Sequence, residues 1–209
     1  MCDRLVDAIS STRSEWGYRT VDDLVADASN SYLDPLSTLI SVNAVLGEGN
    51  LFYPGVRIDA ERDSFELGDG NRVGEGTRMD ATNGGRLTIG NYNEIGPHSV
   101  VFLINRDGAR TVVGDGTRLL GRVEIIGTCD LGTGAQILGD ITAVNVTLAG
   151  GGCFDERDPD LRGAVLKGVG RAAGLSLGAG EVISGAGDFA HAAVERQSVH
   201  HPRVVDERA

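Results

Sequence analysis

The chain is poor in most of what usually announces a function. It has three cysteines, Cys2, Cys129 and Cys153, widely spaced, with no CxxC pair and no Cys/His cluster at zinc spacing. Neither a disulfide framework nor a structural metal site is expected from such a set. Four histidines occur in 209 residues, and only His98 lies before position 190. Aromatics make up 5% of the residues, so the core must be built from small and branched aliphatic side chains. No run of about eighteen apolar residues occurs, and MCDRLVDAIS at the N-terminus has no apolar signal core. Lys and Arg number 19 against 30 Asp and Glu, a formal charge of −11 that repels phosphate backbones and anionic lipid. The expectation is a cytoplasmic protein with no nucleic acid and no membrane as partner.

What is present is glycine, 31 residues of it, set in a repeat of six. Counting in sixes from Ile89 gives Ile95, Val101, Asp107, Val113, Leu119, Ile125, Leu131, Ile137, Ala143 and Ala149. Eight of these eleven positions are Val, Ile or Leu. Shorter runs in other phases are Leu46, Phe52, Ile58, then Leu67, Val73, Met79, and later Leu177, Ile183, Phe189. The phase slips fall in polar or glycine-rich stretches, ERD (61–63) and ATNGG (81–85), which read as extruded loops. LGDGNR (67–72), VGEGTR (73–78), VGDGTR (113–118) and LGTGAQ (131–136) share an aliphatic first residue and glycines second and fourth. A short strand bent every six residues explains this spacing: the first and the usually small fifth residue point inward, and glycine takes the bend. Stacked turns of that kind bury their inner sides against one another.

The pattern resembles the hexapeptide-repeat family, left-handed parallel β-helices in which three hexapeptides make an eighteen-residue triangular coil. It covers roughly residues 42–149 and 175–190. The implied fold class is all-β, a left-handed parallel β-helix of about four to six coils with a short helical N-terminal cap. Residues 1–41 read as that cap, because apolar residues recur at helical spacing and Thr20, Asp22 and Asp23 can open a helix. Residues 42–190 read as the coil, with a long loop at 150–174 where the hexads stop. Residues 191–209 read as a polar tail, a short helix and then a frayed end.

The resemblance also implies a trimer and an acyl-CoA-dependent acyltransferase, with acetyl-CoA as the expected co-substrate and a small-molecule hydroxyl or amine as acceptor. In that family a histidine in the groove acts as general base, and only His98 lies in the coil to do so. His98 is fourth in IGPHSV, the place that Gly70, Gly76, Gly116, Gly134 and Gly180 hold in their own hexads. Read by itself it is a corner residue, since histidine tolerates positive φ. With eighteen residues per coil, Gly116 and Gly134 stack on it and leave a bare shelf for the acyl carbonyl or pantetheine arm. Asp107 is expected in a corner loop near that shelf. Asp155 and Glu156 are candidate acceptor ligands, and Lys167 and Arg171 candidate partners of the coenzyme A phosphates.

Other features carry less. Arg78-Met-Asp80 is similar to an Arg-x-Asp of γ-class carbonic anhydrases, but the zinc ligands are lacking and Phe102 stands where the first is expected, so no metal is assigned. GVGRAAG (168–174) has no βαβ context and is not a dinucleotide loop. Cys129, fifth in its hexad, is expected to be buried and unreactive, and His200 and His201 to lie in a solvated tail. The competing reading is a non-catalytic trimeric scaffold or regulatory subunit that binds a protein partner.

Overall fold

A computed structural model of the protein describes residues 2–201, with side chains from residue 5 onward. Three parallel ladders wind into a triangular β-solenoid capped by a helical N-terminus. Down the first face Ser31 pairs with Leu51, and the ladder continues through Arg72, Glu94, Arg118, Gln136, Val165 and Val182. That makes eight rungs, one per turn, joined by seven steps of 20, 21, 22, 24, 18, 29 and 17 residues, more turns than expected and only one step eighteen long. Among the described residues no helix is long and apolar enough to cross a membrane.

Each face has one inward column. Phe52, Val73, Ile95, Leu119, Ile137, Leu166 and Ile183 form the first, each at most 2% exposed. The second runs Ile40, Ile58, Met79, Phe102, Ile125, Ala143 and Ala172; the third runs Leu46, Leu67, Ile89, Val113, Leu131, Leu148 and Leu177. Removing these side chains from water is the main stabilising term. The extra residues of the longer turns are confined to corners. At the second corner, between faces two and three, the step from one inward residue to the next grows from nine (Ile58 to Leu67) to ten and eleven (Phe102 to Val113), so the ERD and ATNGG loops sit there as expected.

The unbroken ladder of sixes conceals a slip. Phe102 points inward and Val101 is only half-buried, so the corner after Ile95 is one residue too long. The next loop is five too long, and the two surpluses sum to one hexad. A count by six therefore passes through Val101 and Asp107 undisturbed, although neither belongs to an inward column. Leu148 likewise replaces Ala149.

The third corner holds a polar spine. The fifth hexad residues Asn50, Asn71, Asn93 and Thr117 are all buried. The side-chain oxygens of Asn50, Asn71 and Asn93 accept from the next coil's backbone N–H at 2.8, 2.9 and 2.7 Å, so each coil satisfies its neighbour.

At the N-terminus, helix α1 (Cys2–Glu15) and helix α2 (Val21–Ala26) cover the open end. Thr20 Oγ1 accepts from Asp23 N–H at 3.0 Å while the Asp23 carboxylate accepts from Thr20 N–H at 2.8 Å, a reciprocal capping box that starts α2 as the sequence indicates. The coil begins earlier than its glycine hexads, because Ser31–Tyr32 and Leu39–Ile40 already pair with the next turn. Two tyrosines tie the cap region down: Tyr18 donates to Asp59, and Tyr32 donates to Asp27 at 2.7 Å with its ring stacked on Phe52. At the other end, helix α3 (Gln197–His200) packs beside the last coils, with Gln197 buried and donating to Gly163 O at 2.7 Å. The frayed end expected after it lies outside the described residues.

Replacing Asn71 with Ala leaves the buried Asn93 N–H without its acceptor and is expected to cost about 1–3 kcal/mol in urea denaturation. Burial first, and then the hydrogen bonds to carboxylates, raise the ionisation of Tyr18 and Tyr32 above the ordinary tyrosine value. Their neutral forms thus contribute stability that is complete below pH about 10 and is lost as pH rises through the elevated values. Alkaline titration followed by tyrosinate absorbance should show two late-ionising groups, one removed by Tyr18→Phe and one by Tyr32→Phe, and the cap should become protease-sensitive as they ionise.

Candidate functional site

The proposed site residues mark three different corners rather than one shelf. His98 is at the first corner, between faces one and two. Asp107 is at the second, exposed and packed beside Gly84, on the far side of the coil from the first face. Gly116 and Gly134 are at the third. The cause is the register: Glu94 pairs with Arg118, so the turn that carries His98 is 24 residues long and eighteen-residue stacking does not apply to it.

What stacks on Gly116 is Asn91 and Tyr92 from one side and Gly134, eighteen residues on, from the other, with Cys153 of the 149–164 excursion closing over the corner. Gly116 N–H donates to Asn91 O at 2.8 Å, and a Cβ on Gly116 would stand 2.7 Å from Cys153 Sγ. A Cβ on Gly134 would strike Gly152 O. The glycines do mark a close approach, but the approaching backbone is the chain's own excursion, which folds onto its own coil. The excursion is also shorter than the hexad-free stretch. Strand Val165–Ala173 pairs residue for residue with Gln136–Val144, so GVGRAAG is coil. Lys167 and Arg171 consequently do not converge: Lys167 projects from the first face and Arg171 from the second. Glu156 is spent on the excursion itself, its carboxylate accepting from Asp158 N–H at 3.1 Å and its carbonyl from Arg162 Nε at 2.7 Å. Asp155 is exposed and lines a cavity with Tyr92 and Cys153.

At the first corner the hexad alignment of His98 with the corner glycines is shifted by one. Ser99 packs against Gly76 and has φ 61°, beside 66° for Gly76 and 74° for Gly55. Ser99 is therefore the residue that stands in for glycine, and His98 is the inserted one, exposed, with φ 82°. In the seven turns from Phe52 onward this is the only first corner where the step from one inward residue to the next is seven instead of six. The imidazole has no hydrogen-bond partner among the described residues. At the same corner on the next two coils lie Arg122 and Asp140, where Arg122 Nε donates at 3.1 Å and the guanidinium holds the Asp140 carboxyl below the ordinary range. No family model matches the sequence, and no curated protein matches it.

Three cavities with shared walls run down the first face from that corner. The first, about 280 Å³, lies beside Gly96 and Pro97 and is walled by Tyr53, Arg72, Glu75 and Glu94. Arg72 and Glu94 also border the second, which holds Tyr92 and Asp155. Arg118 and Phe154 then separate it from the third, about 310 Å³, which contains Lys167. Arg118 bonds Glu94 at 3.1 Å, and its guanidinium carbon lies 4.4 Å from the centre of the Phe154 ring. Tyr53, Arg72, Tyr92, Arg118 and Phe154 went unnoticed in the sequence. Arg72 and Arg118 hold the sixth hexad place, directly before an inward residue, and Tyr53 directly follows one, but only the register shows which of those positions share a face.

Phe102 is buried in the second column. Arg78 and Asp80 pair within one chain at 3.4 Å, Asp80 also accepting from Thr82 and Asn105. Cys129 is 2% exposed and burial raises its thiol above the usual range, as its hexad position indicates. His200 is exposed and pairs with Glu195 at 2.9 Å, and with His201 it borders the third cavity instead of trailing in solvent.

Gly116→Ala should push Cys153 outward. The expected result is faster hydrogen exchange across 149–164 with protection of the inward strands unchanged, and equal exchange in both proteins would contradict this packing.

Proposed function

We propose that the protein is an acyl-CoA-dependent transferase acting on a hydroxyl or amine of a small molecule, with His98 as general base. The observation that carries this reading is the seven-residue first corner. A regular coil has no packing reason to insert an exposed histidine in left-handed conformation at a single turn, and such departures concentrate at functional sites. The reading places the chain among the hexapeptide-repeat proteins, with a left-handed coil, a trimeric assembly and a cytoplasmic location.

In this scheme the acceptor occupies the cavity beside Pro97, where Glu75 and Glu94 favour an amine or a hydroxyl-rich molecule. The neutral imidazole of His98 takes the acceptor proton as the oxygen or nitrogen attacks the thioester carbonyl. The tetrahedral intermediate collapses, the C–S bond breaks, and the coenzyme A thiolate leaves with the proton that the imidazolium returns. Arg72 and Arg118 face the coenzyme phosphates along the first face, in place of the Lys167 and Arg171 pair. No covalent acyl-enzyme is involved, because Cys129 is buried in the core and, among the described residues, no histidine lines the cavity that holds Cys153.

The filled Gly116 and Gly134 corner favours the alternative, a non-catalytic scaffold, since it removes the shelf expected for the pantetheine arm. Calorimetry with acetyl-CoA, followed by turnover on a pool of amines and sugars, separates the two. His98→Ala should lower turnover about 10²–10⁴-fold with acetyl-CoA affinity nearly unchanged. Absence of binding to any acyl-CoA ends the transferase reading and leaves the scaffold.

A further inference from the structure

The third cavity of the first face has a composition at odds with the rest of the chain. In a protein with 30 acidic residues, no Asp or Glu lines it, while Arg118, Arg162, Lys167, His200 and His201 do. Glu94 already pairs with Arg118, and Glu195 takes up the His200 ring. Arg162 donates only to the neutral carbonyl of Glu156, and neither it nor Lys167 has a carboxylate within ion-pair distance among the described residues. Among the described residues, two cations without a carboxylate partner therefore face one cavity of about 310 Å³.

The cavity wall adds a second observation. Gln136 is 6% exposed, and what remains accessible of it opens into this cavity. Its side-chain amide makes no hydrogen bond among the described residues and is open to the cavity. Leu138, Val165 and Val182 form an apolar floor, and the Phe154 ring stands at the edge. The excursion and helix α3 border the cavity together, Gln197 bonding Gly163 to join them.

We infer that this cavity binds a small phosphate monoester with an apolar or aromatic body, whose phosphate meets Lys167, Arg162 and the Gln136 amide. A phosphate dianion matches the two free cations and offers an acceptor oxygen to the amide, and the floor takes the organic group. The inference does not rest on the transferase reading, because neither His98 nor the cavity beside Pro97 takes part.

The test uses the full chain and phenyl phosphate as probe, followed by calorimetry. Phenyl phosphate should bind at one site, with inorganic phosphate at least tenfold weaker because it leaves the apolar floor uncovered. Lys167→Gln should weaken phenyl phosphate at least tenfold and Gln136→Leu several-fold. Arg171→Gln, which removes a cation from the neighbouring face, and His98→Ala should leave it unchanged. The inference is overturned if phenyl phosphate does not bind, if benzoate binds equally well, or if Arg171→Gln weakens binding as much as Lys167→Gln does. Loss of phenyl phosphate binding in His98→Ala would also overturn it, by moving the ligand to the other cavity. Acetyl-CoA turnover measured on the same variants reports on the transferase separately.

Discussion

Every turn of this solenoid has to return an aliphatic side chain to the same inward column, and the rest of the structure follows from that requirement. Adjacent strands stand about 4.8 Å apart, so a side chain displaced by one residue points into solvent and leaves a hole above and below it. Cores tolerate such holes poorly, at several kcal/mol for a large aliphatic or aromatic side chain. The turns vary from 17 to 29 residues, and yet the three columns run without a break from Phe52 to Leu177. Surplus chain is admissible only at corners, where it can leave the coil and come back without disturbing the register.

That constraint sorts the molecule into a constant interior and variable corners. The second corner carries three stacked loops, the third carries the 149–164 excursion, and the first carries a single inserted residue, His98. Because the excursion returns in register at Val165, it is held against its own coil and forms one wall of a groove along the first face. Phe154 on Arg118 then divides the groove. The cavities, and the charged groups that face them, are consequences of where surplus chain was placed.

Much of this was legible in the sequence. A period of six fits neither a helix nor a simple alternating strand, and the glycine second and fourth places gave the bends directly. The capping box at Thr20, the burial of Cys129 and the loops at ERD and ATNGG followed from local rules alone. The candidate site was less legible. Two surpluses, one residue at GPHS and five in the loop around Asp107, cancel to a full hexad, so the periodicity passes through them intact. The alignment of His98 with Gly116 and Gly134 failed for that reason, and Asp107 was carried to the wrong corner with it.

The sequence by itself determined the parallel coil and most of its inward positions, because these depend on residues within a few positions of one another, whereas the polar spine joins residues 21 to 24 apart. Tertiary structure decided which turn lies on which. It assigned Ser99 rather than His98 to the glycine place, filled the expected shelf with Gly152 and Cys153, and brought Lys167, Gln136 and Arg162 around one cavity. Stacking register depends on the total length of each turn, and that length is set at corners whose residues no periodic rule constrains.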